Sequence, residues 1–209
     1  MKRPPLVSRG PGERAEIALT FDDGPGRWTA EIAAVFEKHG CNATFFLRGA
    51  AVEERPEAVA ALAAAGHELG NHLWSHSDST RLTREQLQAE IERTADAVEK
   101  AGGPRPDLVR PPYFKGPKNV AEAATGLGFR AVILRSVAVS DWAAPSPEEI
   151  YDPVMECAGP GDIVCLHDGI SSDERETDSR EPTAEAVRRL VPALLERGLR
   201  PVTVSRLLG

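Results

Sequence analysis

Two adjacent aspartates, Asp22 and Asp23, stand where the apolar run IALTF ends and a Gly-Pro turn begins. Taken alone, an Asp-Asp-Gly sequence is most often a turn, because Asp bonds its own backbone and Gly accepts positive φ. Two neighbouring carboxylates can also divide a reaction between them, one binding a cation and the other accepting a proton. Suitable partners elsewhere in the chain would favour this second interpretation.

The strongest candidate partners are histidines, three of which fall within residues 67–76. His72 and His76 are four residues apart, a spacing that brings two side chains to one face of a helical turn. Two imidazoles placed in this way are good ligands for zinc, whereas two polar surface histidines are the alternative interpretation. His67 opens an apolar segment and is interpreted as structural.

One of the two aspartates would complete a site of two imidazoles and one carboxylate, which leaves a coordination position open for water. A cation there would offset the repulsion between the carboxylates and lower the pKa of the water, and the second aspartate would be free to accept the proton. Two imidazoles and a carboxylate suit Zn2+, and Co2+, Ni2+ or Mn2+ fit the same ligands. The sequence therefore predicts a metal site in which one aspartate is a ligand and the other can take a proton from water.

Three later segments carry polar residues just after apolar runs. In LVRPPYF, two prolines fix the backbone, and Arg110 is predicted to hold the free aspartate ionised through a bidentate pair, although an ordinary surface arginine also fits. His167 of CLHDG is a candidate general acid, and Asp141 of SDW could orient it and raise its pKa. Trp142 offers a flat apolar surface to a sugar ring or an acyl methyl group, with a core tryptophan and a capping aspartate as the alternative.

The chain contains three cysteines without C-x-x-C spacing, so a disulfide framework is not expected. Cys41 and Cys165 lie in or beside apolar runs and are interpreted as small buried hydrophobes. A nucleophilic Cys165 is the weaker alternative, because on a strand it would share a face with His167, two residues later.

The elements that must position these residues alternate along the whole chain. Strands are predicted at residues 17–21, 43–47, 67–70, 107–110, 129–134, 162–167 and 200–204. Helices are predicted at 28–39, 56–65, 83–101, 117–127, 147–158 and 182–197. Such alternation indicates an α/β fold with about seven parallel strands, a small, distorted (β/α) barrel, and a doubly wound sheet is the alternative. In both architectures ligands bind at the carboxyl ends of the strands, where the polar residues fall.

A length of 209 residues fits a flexible N-terminal extension over residues 1–15 and one catalytic domain over 16–209. The net charge of -7 argues against nucleic acid as a partner, and no apolar stretch reaches the roughly 20 residues of a membrane span. Because the N-terminus lacks the apolar core of a signal peptide, we expect a cytoplasmic protein, or a secreted one if an export signal has been removed. Residues 169–183 are the longest segment predicted to be unstructured.

In combination, these motifs resemble the NodB-homology polysaccharide deacetylases, carbohydrate esterase family four. TFDDGP, NHLWSH, RPPY, SDW and CLH resemble the family's five motifs and occur in the family's order over nearly the whole chain. The resemblance implies a NodB-type barrel and a metal-dependent enzyme that deacetylates an amino sugar, either in a carbohydrate chain or in a small acetylated substrate. A hydrolase of a non-sugar C–N amide bond and an inert carbohydrate-binding protein are the competing interpretations.

The resemblance also implies a role for each matched residue. Asp22 becomes the catalytic base tethered by Arg110, and His167 becomes the general acid positioned by Asp141. The metal ligands that it implies are Asp23, His72 and His76.

The substrate pocket matches the family only in part. The resemblance implies that the backbone N–H of Tyr113 helps to stabilise the oxyanion and that Trp142 and Leu166 line the acetyl pocket. Three positions depart from the family pattern. Phe114 stands where many relatives carry Gly, Arg135 where many carry Trp, and Ala138 where many carry Asp. The changes leave the implied ligands and proton carriers in place but alter the walls of the groove.

Overall fold

Nine parallel strands form one sheet in the computed structural model, which describes residues 2–171 and 179–209. The strands are β1 (Leu6–Val7), β2 (Glu16–Asp22), β3 (Thr44–Leu47), β4 (Glu68–Asn71), β5 (Leu108–Val109), β6 (Ala131–Ile133), β7 (Val137–Ala138), β8 (Ile163–His167) and β9 (Arg200–Pro201). Their order is β1-β6-β5-β4-β3-β2-β8-β7, and β9 pairs with the start of β2. The sheet curls into an incomplete barrel with helices around it, which confirms the predicted NodB-type architecture.

Eight α-helices connect the strands within the described ranges. They are α1 (Thr29–Lys38), α2 (Gly49–Glu54), α3 (Pro56–Ala64), α4 (Arg84–Lys100), α5 (Pro117–Ala123), α6 (Glu148–Cys157), α7 (Glu181–Glu196) and α8 (Val204–Leu208). Six coincide with predicted helices. Thr83 caps α4, and its side chain and that of Gln86 each accept the backbone N–H of the other residue. The short helices α2 and α8 were not predicted. None of the helices described is long and apolar enough to cross a bilayer.

The strand β2 lies at the centre of the sheet, and all seven of its residues are buried. Its Phe21 ring packs against Phe36 of α1 and Phe45 of β3, with centroids 5.8 and 5.2 Å away. A strand covered on both faces needs a continuous apolar sequence, which explains the run IALTF. At the carboxyl end of β2, Asp22 is in register with His167 of β8, so two candidate proton carriers meet at one edge of the sheet.

The predicted flexible extension, residues 1–15, contains part of the sheet. Strand β1 pairs with β6 in parallel, and the N–H of Gly10 donates to the carbonyl of Gly161 at 2.7 Å. Strand β1 has only two residues, too few for a hydrophobic pattern, and the same is true of β7. Residues before position 16 therefore contribute a strand to the sheet and belong to the same folded unit as the residues that follow.

The predicted unstructured segment 169–183 is covered only at its ends, because residues 172–178 lie outside the described residues. On either side of that gap, Ser171 and Arg180 are buried. The guanidinium of Arg180 donates to the carbonyl of Gly169 at 2.9 Å, and α7 begins at Glu181.

Candidate metal and acid–base site

A cavity of about 580 Å³ opens at the carboxyl ends of the central strands. Its wall brings together side chains from all five sequence motifs, which are separated by as much as 145 residues along the chain (Asp22 to His167). Parallel strands end at the same edge of a sheet, so residues that follow different strands converge there. The sequence analysis predicted this convergence, because it placed the polar residues just after the predicted strands.

Asp23, His72 and His76 form one cluster in the cavity. The Oδ1 atom of Asp23 lies 3.6 Å from Nε2 of His72 and 3.1 Å from Nε2 of His76, and all three residues are buried. Their candidate ligand atoms all lie within 4.8 Å of one another. Two imidazole nitrogens and one carboxylate oxygen, converging without large movement, are a donor set that suits zinc and similar divalent ions.

The second nitrogen of each imidazole is held by a neighbour. Nδ1 of His72 lies 2.9 Å from the carbonyl oxygen of Arg110, and Nδ1 of His76 lies 3.1 Å from the hydroxyl of Tyr113. A carbonyl only accepts, so Nδ1 of His72 carries the proton and its Nε2 presents a lone pair to the cluster. The residues present therefore fit the metal that the family resemblance implies.

The segment 72–78 that carries these histidines is a loop and not the helical turn that their spacing suggested. Leu73 and His76 adopt left-handed backbone conformations, with φ of 61° and 60°, and Asp23 does so as well, with φ of 73°. Non-glycine residues at positive φ are uncommon and concentrate at functional sites. The carboxylate of Glu90 on α4 holds the loop by accepting the N–H groups of Trp74 and Ser75 at 2.9 and 2.8 Å.

Asp22 is paired with Arg110 in the interior. Nη1 of Arg110 donates to Asp22 Oδ1 and to Thr20 Oγ1, both at 2.7 Å. The remaining guanidinium nitrogens donate to the carbonyls of Ile133 and Leu134, so the pair has one contact and is not the bidentate clamp predicted. Burial would raise the pKa of Asp22, but the Arg110 guanidinium, through its charge and its hydrogen bond, is the main influence that outweighs burial and holds that pKa below its ordinary value. Asp22 is therefore ionised and ready to accept a proton.

His167 is paired with Asp141. Its Nδ1 lies 2.7 Å from Oδ1 of Asp141, whose Oδ2 accepts the backbone N–H of His167 at 2.8 Å and the hydroxyl of Thr183 at 2.9 Å. Burial alone would lower the pKa of His167, but the Asp141 carboxylate beside it and the more distant aspartates raise it to about 9. Near neutral pH the imidazole is therefore protonated, and its position in the cavity wall suits a proton donor.

The aromatic residues assigned to the substrate line the cavity and are open to solvent, with Tyr113 44% and Trp142 54% exposed. Leu166 is different, because it is fully buried in the hydrophobic core and is absent from the described cavity lining. Side chains alternate along β8, so Cys165 and His167 face the cavity while Leu166 points to the opposite side. The side chain of β8 that lines the cavity next to His167 is therefore that of Cys165, and Leu166 does not line the cavity as predicted.

Cys165 has the properties of a buried thiol and not those of a nucleophile. Its burial, and then the negative charge of Asp22 at 3.4 Å from Sγ, raise its pKa well above the ordinary value. Cys41 is also a free buried cysteine, as predicted. His67 is structural, as predicted: its Nδ1 accepts the N–H of Ala43 at 3.1 Å, and its ring packs on Phe45.

Several residues that hold the site residues in place by hydrogen bonds belong to no motif that the sequence reveals. Thr20, Glu90 and Thr183 act only through partners distant in the chain. Asp168 could have been noticed because it follows His167, and the structure gives it a place beneath the Asp-Asp-Gly turn. It is fully buried, accepts the Thr29 hydroxyl, and lies so close to Gly24 that a Cβ there would stand 2.2 Å from its Oδ2.

The chain is similar to characterised proteins over almost its full length. A family model described as polysaccharide deacetylase matches residues 9–132. A chitooligosaccharide deacetylase of Sinorhizobium fredii is 36% identical over 87% of this chain and 86% of its own.

Solved structures share the fold. A peptidoglycan N-acetylglucosamine deacetylase in complex with 4-naphthalen-1-yl-N-oxidanyl-benzamide superimposes with a TM-score of 0.89 at 29% identity, over 97% of this chain and 92% of that one. A carbohydrate esterase family four pseudoenzyme from Bacillus anthracis superimposes with a TM-score of 0.88 at 25% identity, over 99% of this chain and 69% of that one. Since one of these similar structures is a pseudoenzyme, the fold alone does not carry activity, and the residues in the cavity decide.

Proposed function

This chain belongs to the polysaccharide deacetylase family, and on that premise we propose that it hydrolyses the acetamido group of an N-acetylated amino sugar. The observation that carries the proposal is the placement of an ionised base and a protonated acid in the same cavity as one three-ligand cluster. Asp22 and His167 are in register on neighbouring strands, and Asp23 of the cluster is adjacent to Asp22 in the chain. An inert carbohydrate-binding protein would have no use for this set.

Asp23, His72 and His76 would hold the metal, and we expect zinc as the ion. When bound, a divalent cation polarises the acyl oxygen and lowers the pKa of water. The geometry of the protein supports this assignment, because the Arg110 carbonyl and the Tyr113 hydroxyl fix the two imidazoles before any ion arrives.

The proton movements follow from the two ion pairs. The attacking water gives one proton to Asp22, which Arg110 keeps ionised, and its oxygen forms a bond to the acetyl carbon. The C–N bond then breaks as His167 gives its proton to the nitrogen, so that acetate and an amine leave. Asp141 stabilises the charged imidazole until that step. The backbone N–H of Tyr113 is the proposed donor to the negative oxygen of the intermediate.

The walls of the cavity favour a sugar as the substrate. Trp142 and Tyr113 present exposed aromatic surfaces beside the acid and the cluster, which suits the apolar face of a sugar ring. The similar proteins named above include deacetylases of chitooligosaccharides and of peptidoglycan N-acetylglucosamine. We therefore assign amino-sugar chains to this protein ahead of a non-sugar amide.

The test is acetate release from short N-acetylglucosamine oligomers by the zinc- or cobalt-loaded protein. We expect release that a chelator abolishes and that added metal restores. Asp22→Asn should reduce the rate by about 10²- to 10⁴-fold, the usual contribution of a general base, while metal content stays at the wild-type level. The matched control is Asp152→Asn, at an exposed position on α6, which should leave the rate unchanged. A near-normal rate in Asp22→Asn would remove Asp22 from the mechanism, and no release from any oligomer would remove amino-sugar chains as the substrate.

A further inference from the structure

Arg135 is a cavity-wall residue that the proposed reaction does not use. Its guanidinium lies 3.8 Å from the centroid of the Phe114 ring, and both residues line the cavity that holds Asp22, Asp23 and His167. Within the described lining it is the one arginine, and no lysine joins it. The catalytic steps above account for the other charged groups of this wall but give Arg135 no task.

A comparison with Arg110 shows what Arg135 lacks. Both guanidinium groups lie near the Phe114 ring, Arg110 at 5.5 Å from its centroid. Arg110 is fully buried and is satisfied by Asp22, Thr20 and two backbone carbonyls. Arg135 is only half-buried, and across residues 2–171 and 179–209 it makes no hydrogen bond or ion pair. Stacking on an aromatic ring holds a guanidinium in place while leaving its N–H edge available.

The surrounding wall leaves room for a ligand at that edge. Small or apolar side chains, Ala138 and Val139, line the cavity with Arg135. The positive charge of Arg135 also acts on Cys165 in the same cavity. Burial raises the pKa of this thiol, and Arg135 is one of the charges that lower it.

We propose that Arg135 binds an oxyanion on the substrate, so that the preferred substrate is an N-acetylated amino sugar that carries a carboxylate or phosphate near the acetamido group. The proposal rests on the proposed deacetylase function and specifies its substrate class. A planar guanidinium donates two parallel N–H bonds to a carboxylate or phosphate, and such charge-assisted bonds are about twice as strong as neutral ones. A neutral chain of N-acetylglucosamine leaves this group without a partner.

Two matched substrates test the proposal. One is a short N-acetylglucosamine oligomer in which one sugar bears an ether-linked lactyl carboxylate, and the other is the same oligomer with that carboxylate converted to its methyl amide. An N-acetylglucosamine 6-phosphate oligomer adds the phosphate arm. We expect wild-type kcat/KM to be at least about tenfold higher for an anionic member than for the amide, since hydrogen bonds to charged groups are worth that much. The ratio should shrink as ionic strength rises.

The variants identify the residue responsible. Arg135→Gln should lower the anion-to-amide ratio of kcat/KM about tenfold or more, mainly through KM, and Arg135→Lys, which keeps the charge but loses the planar fork, should give an intermediate ratio. Arg189→Gln is the matched control, because Arg189 also stacks on an aromatic ring, that of Tyr151 at 4.5 Å, but lies outside the described cavity lining. Its ratio should equal the wild-type ratio.

The possible failures are distinguishable. Acetate release from the amide oligomer with no anionic preference, and no change of ratio in Arg135→Gln, would overturn the oxyanion subsite and leave the deacetylase function standing. Release from none of the oligomers would overturn the proposed function and the subsite with it. A loss of the same size on all substrates in Arg135→Gln would make Arg135 a structural residue of the wall.

Discussion

Replacing Asp141 by Asn tests the assignment of His167 as general acid through its pH dependence. The asparagine keeps the shape of the side chain and one acceptor oxygen, but it removes the negative charge 2.7 Å from Nδ1 of His167. That charge is the main influence that raises the pKa of His167 against the effect of burial. Without it, the pKa of His167 should fall from about 9 towards its ordinary value of 6.5.

The size of the effect follows from these two values. At pH 8, a group of pKa about 9 is roughly 90% protonated, whereas a group of pKa 6.5 is roughly 3% protonated, which predicts about a 30-fold loss of active acid. The difference of 2.5 pKa units corresponds to about 3 kcal/mol between the two protonation states. Since the pKa is raised in the folded protein, the stabilisation is complete below pH 6.5 and disappears as the pH rises through 9. The protonated fraction of His167 in Asp141→Asn should differ most from that in wild type at about pH 7.8, midway between the two pKa values.

The assay is kcat/KM for acetate release between pH 5 and 10, on a neutral N-acetylglucosamine oligomer with metal held at saturation. In wild type, the alkaline limb should fall near pH 9, and in Asp141→Asn it should fall two or more pH units lower. The Cε1 proton of His167, followed by NMR, should titrate at the same two positions. An alkaline limb that stays at the wild-type pH in Asp141→Asn would refute the reasoning, because a purely structural loss lowers the whole profile without moving it.

Three further outcomes follow from the same geometry. His76→Ala removes one of three ligands and should reduce bound metal, measured by mass spectrometry after dialysis, from one equivalent to a small fraction; a full equivalent would mean that the ligand set is wrong. Iodoacetamide at neutral pH should modify the exposed Cys157 long before Cys165, whose burial raises its pKa, and equal rates in peptide mapping would contradict the buried-thiol assignment. Phe45→Ala, in the ring cluster beneath the site, should cost about 3–5 kcal/mol of unfolding free energy in urea, whereas a loss below about 1 kcal/mol would mean that the core closes around the gap.

The sequence predicted the central strands and the residues at their ends because both depend on local patterns. A strand buried on two faces must be apolar, and β2 is, so the position of Asp22 and Asp23 after it could be found without a structure. Each of the seven predicted strands is present at least in part, but the last, predicted at 200–204, is a strand only at Arg200–Pro201, and α8 begins at Val204. The two strands that were missed, β1 and β7, have two residues each. Motifs near strand ends were therefore placed correctly in space.

The support of the site was less predictable because it acts across long distances in the chain. Thr183 reaches Asp141 from another helix, and Thr20 joins Arg110 from 90 residues away, so neither belongs to a local pattern. The spacing of His72 and His76 suggested a helical turn, but two left-handed residues, Leu73 and His76 itself, shape the loop instead. Side-chain spacing does not report the sign of φ. For this reason the spacing predicted that the two histidines converge but not the loop that presents them.

The register between β2 and β8 also has a consequence for how the protein is completed during synthesis. The cluster ligands and Asp22 all precede residue 77, but residues Ala18–Asp22 pair with Ile163–His167, near the end of the chain. Until β8 is added, β2 is an edge strand, with an unpaired row of backbone groups beside an apolar sequence, and such edges recruit other chains. A fragment that stops at residue 132, where the family match ends, would hold every ligand and still present this open edge. The insertion of β8 thus protects the nascent protein from aggregation in the same step that delivers its proton donor.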